Sequence, residues 1–509
     1  MKRTKKSAKK VAEKTNEVRA TDISLDAFAA QSLKIYGSYV VEDRAVPEFR
    51  DGLKPVHRAG LWAAHKLNLR HNAKFRKAAK VVGDVIGSYH PHGDQSAYGA
   101  IVGLANGKPN LIRGEGNWGS PIDNAAAMRY TECRLSSFSD LFLLDTEYLK
   151  VVPTMPNFDG TTTMPLHLPA LLPNILLMGN PTAPAYGVRA GNPPFGMDGV
   201  VKIVRSMLRG KKPTVKMLNK YLEVDFPYGC QDASDEEQWS ELLSNGKGSL
   251  SFVPDMEAVW DHKDKKQAKK ILITSFAPGF RGASITKQLD KIANLSDVSK
   301  AYPRVSKKDK RAGPYGCLYV IEPSRGISED DFFDLAEKIQ TLLTSKESYD
   351  LGCTVKSPEG TVKFVRPNFI QFFNTWMKYR IGLETKMIKY LIQDTQEKIE
   401  HQEMLLFAVD NRDMLLKLLP KVLKTKNPDE ALAKAIKKPI EFAKKILDLQ
   451  IRRLAALERA GIVGKIKELK VVLKALKKDL KNPNPRIDKD LVERVKSYKT
   501  KHPKYDVRK

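Results

Sequence analysis

From Pro367 to about Asp410 the sequence predicts one long helix, a length that no single compact domain absorbs. Further on, Ile462, Ile466, Leu469, Leu473, Leu476 and Leu480 recur at alternating spacings of four and three, the a/d seam of a coiled coil. The break at Thr425-Lys426-Asn427-Pro428 separates the two long stretches and leaves room for shorter helices between them. The last third is therefore expected to form an antiparallel coiled-coil arm with a helical knot. Such a seam sets architecture and carries no chemistry.

Upstream, the texture changes twice. Between about Asp22 and Lys150, short helical patterns are broken by Gly and Pro. Pro55 suits the first turn of a helix, where its missing N–H has no partner to lose. Leu61, Ala64, Leu67 and Leu69 then supply an amphipathic face. A second helix is expected over roughly Ala73 to Ile86 and a third after His92-Gly93-Asp94. From Val151 to about Val365, apolar runs such as Ile271-Leu272-Ile273 and Cys317-Leu318-Tyr319-Val320-Ile321 alternate with Gly/Pro turns and occasional helices. At 509 residues the chain has room for about three domains, and the expected class is a multidomain α+β protein.

The 87 Lys and Arg against 59 Asp and Glu leave a net charge of +28. That excess points to a polyanion, with nucleic acid ahead of an anionic membrane surface. A hydrophobic fraction of 42% excludes a wholly disordered chain, and no apolar run approaches the length of a membrane span. Cys133, Cys230, Cys317 and Cys353 have no paired spacing, which fits neither a zinc ribbon nor a disulfide framework and favours a reducing cytoplasm. Residues 1–22 are rich in Lys and Arg with no apolar segment behind them, as in a disordered basic arm.

Three local signals carry little. Gly114-Glu115-Gly116-Asn117-Trp118-Gly119 matches G-x-G-x-x-G, yet Pro121 follows closely and no βαβ unit surrounds it. Gly103 to Lys108 is too short for a P-loop, and Pro109 stands where Ser or Thr belongs. Asp488-Lys489-Asp490 could pair on a metal, but after Pro485 the acids read more simply as a helix start.

The chemistry concentrates between Arg44 and Arg134. Cations and imidazoles cluster there, at Arg44, Lys54, His57, Arg58, His90 and His92, and Tyr130 follows directly on Arg129. A neutral phenol, with a pKa of about 10, is a poor nucleophile at pH 7. Beside a fixed guanidinium and a polarised phosphate it can attack phosphorus, because the cation stabilises both the phenolate and the charge of the phosphorane. An Arg-Tyr pair alone is far more often an ordinary surface or core tyrosine.

Four stretches change that balance: RAVPEFRDGLKPVHR from Arg44, VVGDVIGSYHPHGD from Val81, GEGNWGS from Gly114 and AAAMRYTE from Ala125. In this order and spacing they closely resemble the A subunit of type IIA DNA topoisomerases, the gyrase A and topoisomerase IV A type. The resemblance is close from about Tyr36 to Pro194 and continues more loosely over most of the chain. It implies a winged-helix DNA-gate domain over 23–150, a mixed α/β tower domain over 151–365, and a long antiparallel coiled coil with a helical exit gate over 366–509. It implies a cleavage–religation subunit that forms 5′-phosphotyrosyl links, relaxing or decatenating DNA. Tyr130 would be the nucleophile, with Arg129 and Arg44 as its catalytic arginines. Lys54, His57, Arg58, His90 and His92 would grip the DNA backbone. Pro184, in the stretch Thr182-Ala183-Pro184-Ala185-Tyr186-Gly187, stands where the family carries a DNA-bending isoleucine.

The resemblance also implies partners: double-stranded DNA, a second copy in a C2 homodimer, and a B-type subunit completing an A2B2 complex. No membrane is involved. Mg²⁺ and ATP would be bound by that B-type subunit, with no metal site in this chain. The chain ends at Lys509 without the gyrase DNA-wrapping domain, as in bacteriophage-type subunits, so relaxation and decatenation are expected over supercoiling, in the cytoplasm or a host's cytoplasm. The competing class is a non-catalytic DNA-binding structural protein that keeps the gate fold. In bacterial relatives quinolones are anchored by a serine directly after the HGD triplet and an acid four residues on. Gln95 and Gly99 occupy those places here, which implies weak quinolone poisoning.

Overall fold

The structure, a computed structural model, describes residues 24–121, 123–185, 187–260, 269–280, 282–305, 317–448 and 458–501. The expected basic arm, 1–22, lies outside them. Helix α1 (Leu25–Val40) runs through a π-helical turn, Val41–Ala45, toward helix α2 (Pro55–Lys66). Pro55 occupies the first turn of α2, as its missing donor predicts. The helix is shorter than its apolar spacing implies. Asn68, at φ 55°, turns the chain, so that Leu69 enters the core from a turn, its N–H bonding the carbonyl of Ala64 at 2.9 Å.

The helix expected from Ala73 is displaced as well. Helix α3 (Ala78–Asp84) starts five residues later than the periodicity suggests, because strand β1 (Arg76–Lys77) first pairs with strand β3 (Glu132–Leu135). Helix α4 (Asp94–Asn106) begins where His92-Gly93-Asp94 predicts. Strand β2 (Ile112–Glu115) pairs antiparallel with the other edge of β3, giving the order β1-β3-β2. Ala63, Val81, Ile101 and Leu135, from α2, α3, α4 and β3, share one buried core. That core also takes in Leu171, Phe252, Phe372 and Ile487, so it draws on segments from most of the chain.

A four-stranded antiparallel sheet, ordered Met256–Trp260, Lys269–Ile273, Cys317–Pro323 and Val298–Val305, has its own core with helices Ala283–Ala293 and Glu329–Leu342. Both apolar runs read as strands in the sequence lie in it. The long helix spans Phe369–Asp410, opened by a capping box in which Asn368 and Gln371 satisfy each other's backbone N–H. Helix Arg459–Lys481 packs against it in the opposite direction, as the ion pairs Asp410–Arg459 and Glu403–Lys470 show. Ile462, Ile466 and Leu476 of the seam are buried, and Leu469, Leu473 and Leu480 are half-buried. Between the two, three helices from Arg412 to Leu447 form a small core around Leu415, Leu432 and Ile446.

The final helix, Asn484–Lys501, returns to the first core, where Tyr498 meets the edges of Phe138 and Phe142. Asp488 and Asp490 lie inside this helix and do not cap it. Asp488 binds Arg205 and Arg209, while Asp490 binds Arg494. Nearby, Glu384 on the long helix is buried between Arg380 at 2.9 Å and Arg486 at 2.8 Å. Each carboxylate answers a guanidinium.

One buried pair ties the N-terminal segment together. The Asp51 side chain is fully buried, and the guanidinium of Arg58 donates to both its oxygens, at 2.7 and 3.0 Å. The same carboxylate accepts the N–H groups of Leu53 and Leu168. Burial alone would push the Asp51 carboxyl up, but the Arg58 charge and these hydrogen bonds hold it below its ordinary range. Gly52, at φ 69°, sits so close to the backbone of Ile175 that no Cβ fits. Asp51→Ala would leave Arg58 charged and unpaired in the interior, a loss of about 3–5 kcal/mol. The midpoint of chemical denaturation should fall accordingly, whereas Asp51→Ala with Arg58→Met should recover part of the loss. An unchanged midpoint in the single variant would exclude the pair as an anchor.

Candidate active site

Tyr130 stands at the end of a long loop between β2 and β3, held by its buried parts. Trp118 is buried, donates from its indole N–H to the carbonyl of Glu115, and packs so tightly on Gly114 that no side chain fits there. This accounts structurally for Gly114 and Trp118 of the GEGNWG string. Asn106 on α4 donates to the Trp118 carbonyl at 2.9 Å, and the Ala126 N–H bonds the carbonyl of Asn117. The N–H groups of Ala78 and Ala79, at the start of α3, then bond the carbonyls of Thr131 and Met128. A tight turn closes when the Tyr130 N–H bonds the carbonyl of Ala127 at 2.8 Å.

That anchoring leaves the Tyr130 side chain 64% exposed. The Arg129 guanidinium lies 4.6 Å from the centre of the phenol ring. The guanidinium is held against the ring by its quadrupole and, being exposed, can approach a phosphate beside the hydroxyl. Phenol and guanidinium are thus presented outward from an anchored base.

A second group gathers around the imidazoles. His90 and His92 are stacked, with centroids 4.0 Å apart and planes 15° from parallel. The Tyr39 hydroxyl lies 2.7 Å from Nε2 of His92. Arg44 is exposed at the end of the π-helical turn and is near enough for its charge to act on His90. Burial first, then His92 and Arg44, push the His90 ring down to about 4. His57, half-buried in the first turns of α2, is pushed down to about 3 by burial and by the charges of Lys54 and Arg58. Burial also lowers Lys54 from its ordinary value. A cavity of about 250 Å³, lined among others by Tyr39, Leu53, Arg58, His90, His92 and Phe158, separates the stacked rings from α2.

The structure therefore divides the sequence candidates. Arg129 and Tyr130 form one pair; Arg44, His90 and His92 form another group. Lys54, His57 and Arg58 share the start of α2. Arg58 does not offer its charge outward, since Asp51 takes up its guanidinium inside the protein. Pro184 lies apart, on the strand Asn180–Ala185, opposite Arg189, and its side chain is outside the described residues. Two contributors, Tyr39 and Tyr98, carried no motif signal of their own, and Asp51 only a faint one, an acid inside a run of cations.

The chain matches the family model for the A subunit of DNA gyrase/topoisomerase IV over residues 44–492. It is 31% identical over 463 residues to the A subunit of DNA topoisomerase 4 from Escherichia coli (strain K12), covering 88% of this chain and 58% of that protein. It is 30% identical over 486 residues to the Haemophilus influenzae protein of the same name, covering 93% and 62%. The A subunit of DNA gyrase from Brachyspira hyodysenteriae is 29% identical over 462 residues, covering 89% and 53%. The matches place the chain among the type IIA topoisomerases. It belongs to the family of DNA gyrase and topoisomerase IV A subunits, and it spans a little over half the length of the curated relatives it matches.

The depressed imidazoles set a pH dependence. His57 and His167 are pushed down to about 3, and His65 and His90 to about 4, each chiefly by burial. Below the unfolded value of about 6.5, the unfolded chain binds protons that the folded chain refuses. Their contribution to stability is complete above pH 6.5 and is lost as pH falls toward 4. The denaturation midpoint should drop steadily from pH 7 to pH 5, and His167→Gln should flatten the slope. A midpoint constant over that interval would contradict neutral buried rings.

Proposed function

We propose that this chain is the DNA cleavage–religation subunit of a type IIA topoisomerase, with Tyr130 as nucleophile. The observation that carries the proposal is the exposed Tyr130 phenol paired with Arg129 on a loop anchored in the core. The Tyr130 oxygen attacks a backbone phosphorus and the bond from phosphorus to the 3′ oxygen breaks. The phenolic proton is lost, the departing 3′ oxygen takes one up, and a 5′-phosphotyrosyl ester remains. One phosphoester replaces another, so resealing needs no nucleotide. Arg129 stabilises the charge of the phosphorane, and Arg44 approaches the same phosphate.

Lys54 carries a charge for the flanking backbone. His57 and His90, being neutral, serve as N–H donors and not as cations, and His92 acts beside Tyr39. Arg58 supports them from within by holding Asp51. Helices α2–α4 over the sheet β1-β3-β2 support a winged-helix DNA gate in 23–150. The four-stranded module supports a tower in 151–365, with Pro184 as its DNA wedge, and the paired long helices support a coiled coil and exit gate in 366–509. A C2 homodimer then presents one tyrosine to each strand of a duplex, and two B-type subunits complete an A2B2 complex in the cytoplasm. Among the described residues no group of three or more His, Cys, Asp or Glu side chains is placed to hold a metal ion. Mg²⁺ and ATP fall to the B-type subunit. Among the described residues no helix is long and apolar enough to cross a membrane.

Tyr130→Phe should abolish covalent attachment to DNA while leaving DNA affinity and melting intact, because one exposed oxygen is lost. Arg129→Ala should slow cleavage about 10²- to 10³-fold with little change in affinity. The assay mixes the chain with a B-type subunit, Mg²⁺ and supercoiled plasmid, then denatures with detergent. Protein on the 5′ ends of linear DNA supports the proposal; attachment undiminished in Tyr130→Phe removes Tyr130 as the nucleophile, and no attachment by the unsubstituted complex favours a binding role.

Drug response tests the same face of α4. Gln95 is exposed in the first turn, and an added Cβ at Gly99 meets no atom within 4 Å, so an acid fits without repacking. The wild-type complex should trap little cleaved DNA with a quinolone, and Gln95→Ser with Gly99→Asp should raise trapping. Equal trapping by both complexes at each drug concentration would refute this.

A further inference from the structure

Tyr98 joins the helix that follows the stacked histidines to the loop that carries Tyr130. It lies on α4, is 7% exposed, and its ring packs against Trp118 at 6.0 Å between centroids. Its hydroxyl donates to the carbonyl of Ala126 at 2.6 Å and lies 2.9 Å from Oγ1 of Thr131, a residue with no exposed surface. A phenol has one hydrogen, so with that hydrogen on Ala126 the second contact runs from the Thr131 hydroxyl to the Tyr98 oxygen. Both buried hydroxyls are then satisfied. Burial raises the Tyr98 phenol above its ordinary value, which keeps it a donor.

The geometry is specific to the nucleophile. Ala126 and Thr131 bracket the turn that holds Arg129 and Tyr130, so a single oxygen spans the mouth of that turn. Among the described residues the turn is also tied by backbone bonds from the start of α3 to Thr131 and Met128, and from Ala126 to Asn117. We propose that Tyr98 is a positioning residue for Tyr130: its hydroxyl clamps both ends of the turn and sets the phenol against the scissile phosphate. The proposal rests on the cleavage reading above. Tyr98 is buried beneath the loop and does not itself reach DNA, so it should act on rate and not on affinity. Loss of the clamp lets the phenol wander by a fraction of a turn, and misplacement of about 1 Å can cost up to about 100-fold in rate.

The test is single-turnover cleavage at saturating DNA in the complete complex with a B-type subunit, with DNA affinity and melting temperature measured in parallel. Tyr98→Phe and Thr131→Val should each slow cleavage about 10- to 100-fold at unchanged DNA affinity. Combined, they should be no slower than the worse single variant, since both remove the same contact. Thr131→Ser, which keeps the hydroxyl, should restore most of the rate lost in Thr131→Val. Wild-type cleavage rates in Tyr98→Phe, with or without a lower melting temperature, would overturn the positioning role alone. A Thr131→Ser variant as slow as Thr131→Val would also overturn it. Absence of cleavage by the unsubstituted complex would overturn the cleavage reading, and the positioning role with it.

Discussion

The buried carboxylate of Asp51 is the contact on which the architecture around α2 depends. A single charge there receives Arg58, Leu53 and Leu168, and the Asp51 carbonyl also accepts from Asn174. Segments more than a hundred residues apart thereby converge on two or three atoms. An ion taken out of water is tolerable only when each lone pair finds a donor, and here they do. The start of α2, with Lys54 and His57, is consequently held in one place. The same pair withdraws Arg58 from the surface.

A similar economy governs the imidazoles. In a chain with a charge of +28, a cationic histidine among lysines and arginines would add repulsion without much further attraction for a polyanion. Burial and neighbouring cations keep His57 and His90 neutral, and His90 stacks on His92. Neutral rings can donate directional hydrogen bonds to phosphate oxygens while lysine supplies the long-range pull. The Arg129–Tyr130 pair is different: it is exposed, and its rigidity comes from the buried Trp118, Thr131 and Tyr98 beneath it.

Much of this was legible in the residues. Pro55, Pro367 and the 462–480 seam announced three helices through rules that act over a few residues, and all three formed. The strands at Ile271 and Cys317 were equally local. Where expectation failed, at Ala73 and Leu67, a distant partner had intervened. Arg76 pairs with Cys133, more than fifty residues away, and the left-handed Asn68 turns Leu69 into a core assembled from other segments. Helical periodicity cannot register such competition. Asp488 and Asp490 likewise looked like helix-start acids, but their partners Arg205 and Arg494 decide their role.

The sequence by itself determined the family, the identity of the nucleophile candidate and the order of helical and mixed segments, because motifs and periodicity are properties of neighbouring residues. Tertiary structure alone decided which cations remain available. Arg44, Arg58 and Arg129 are alike as letters; one is exposed beside His90, one is buried against Asp51, and one lies over Tyr130. The difference is solvation. A guanidinium's availability depends on which carboxylate or ring reaches it when water is excluded, and that is settled only when remote segments pack.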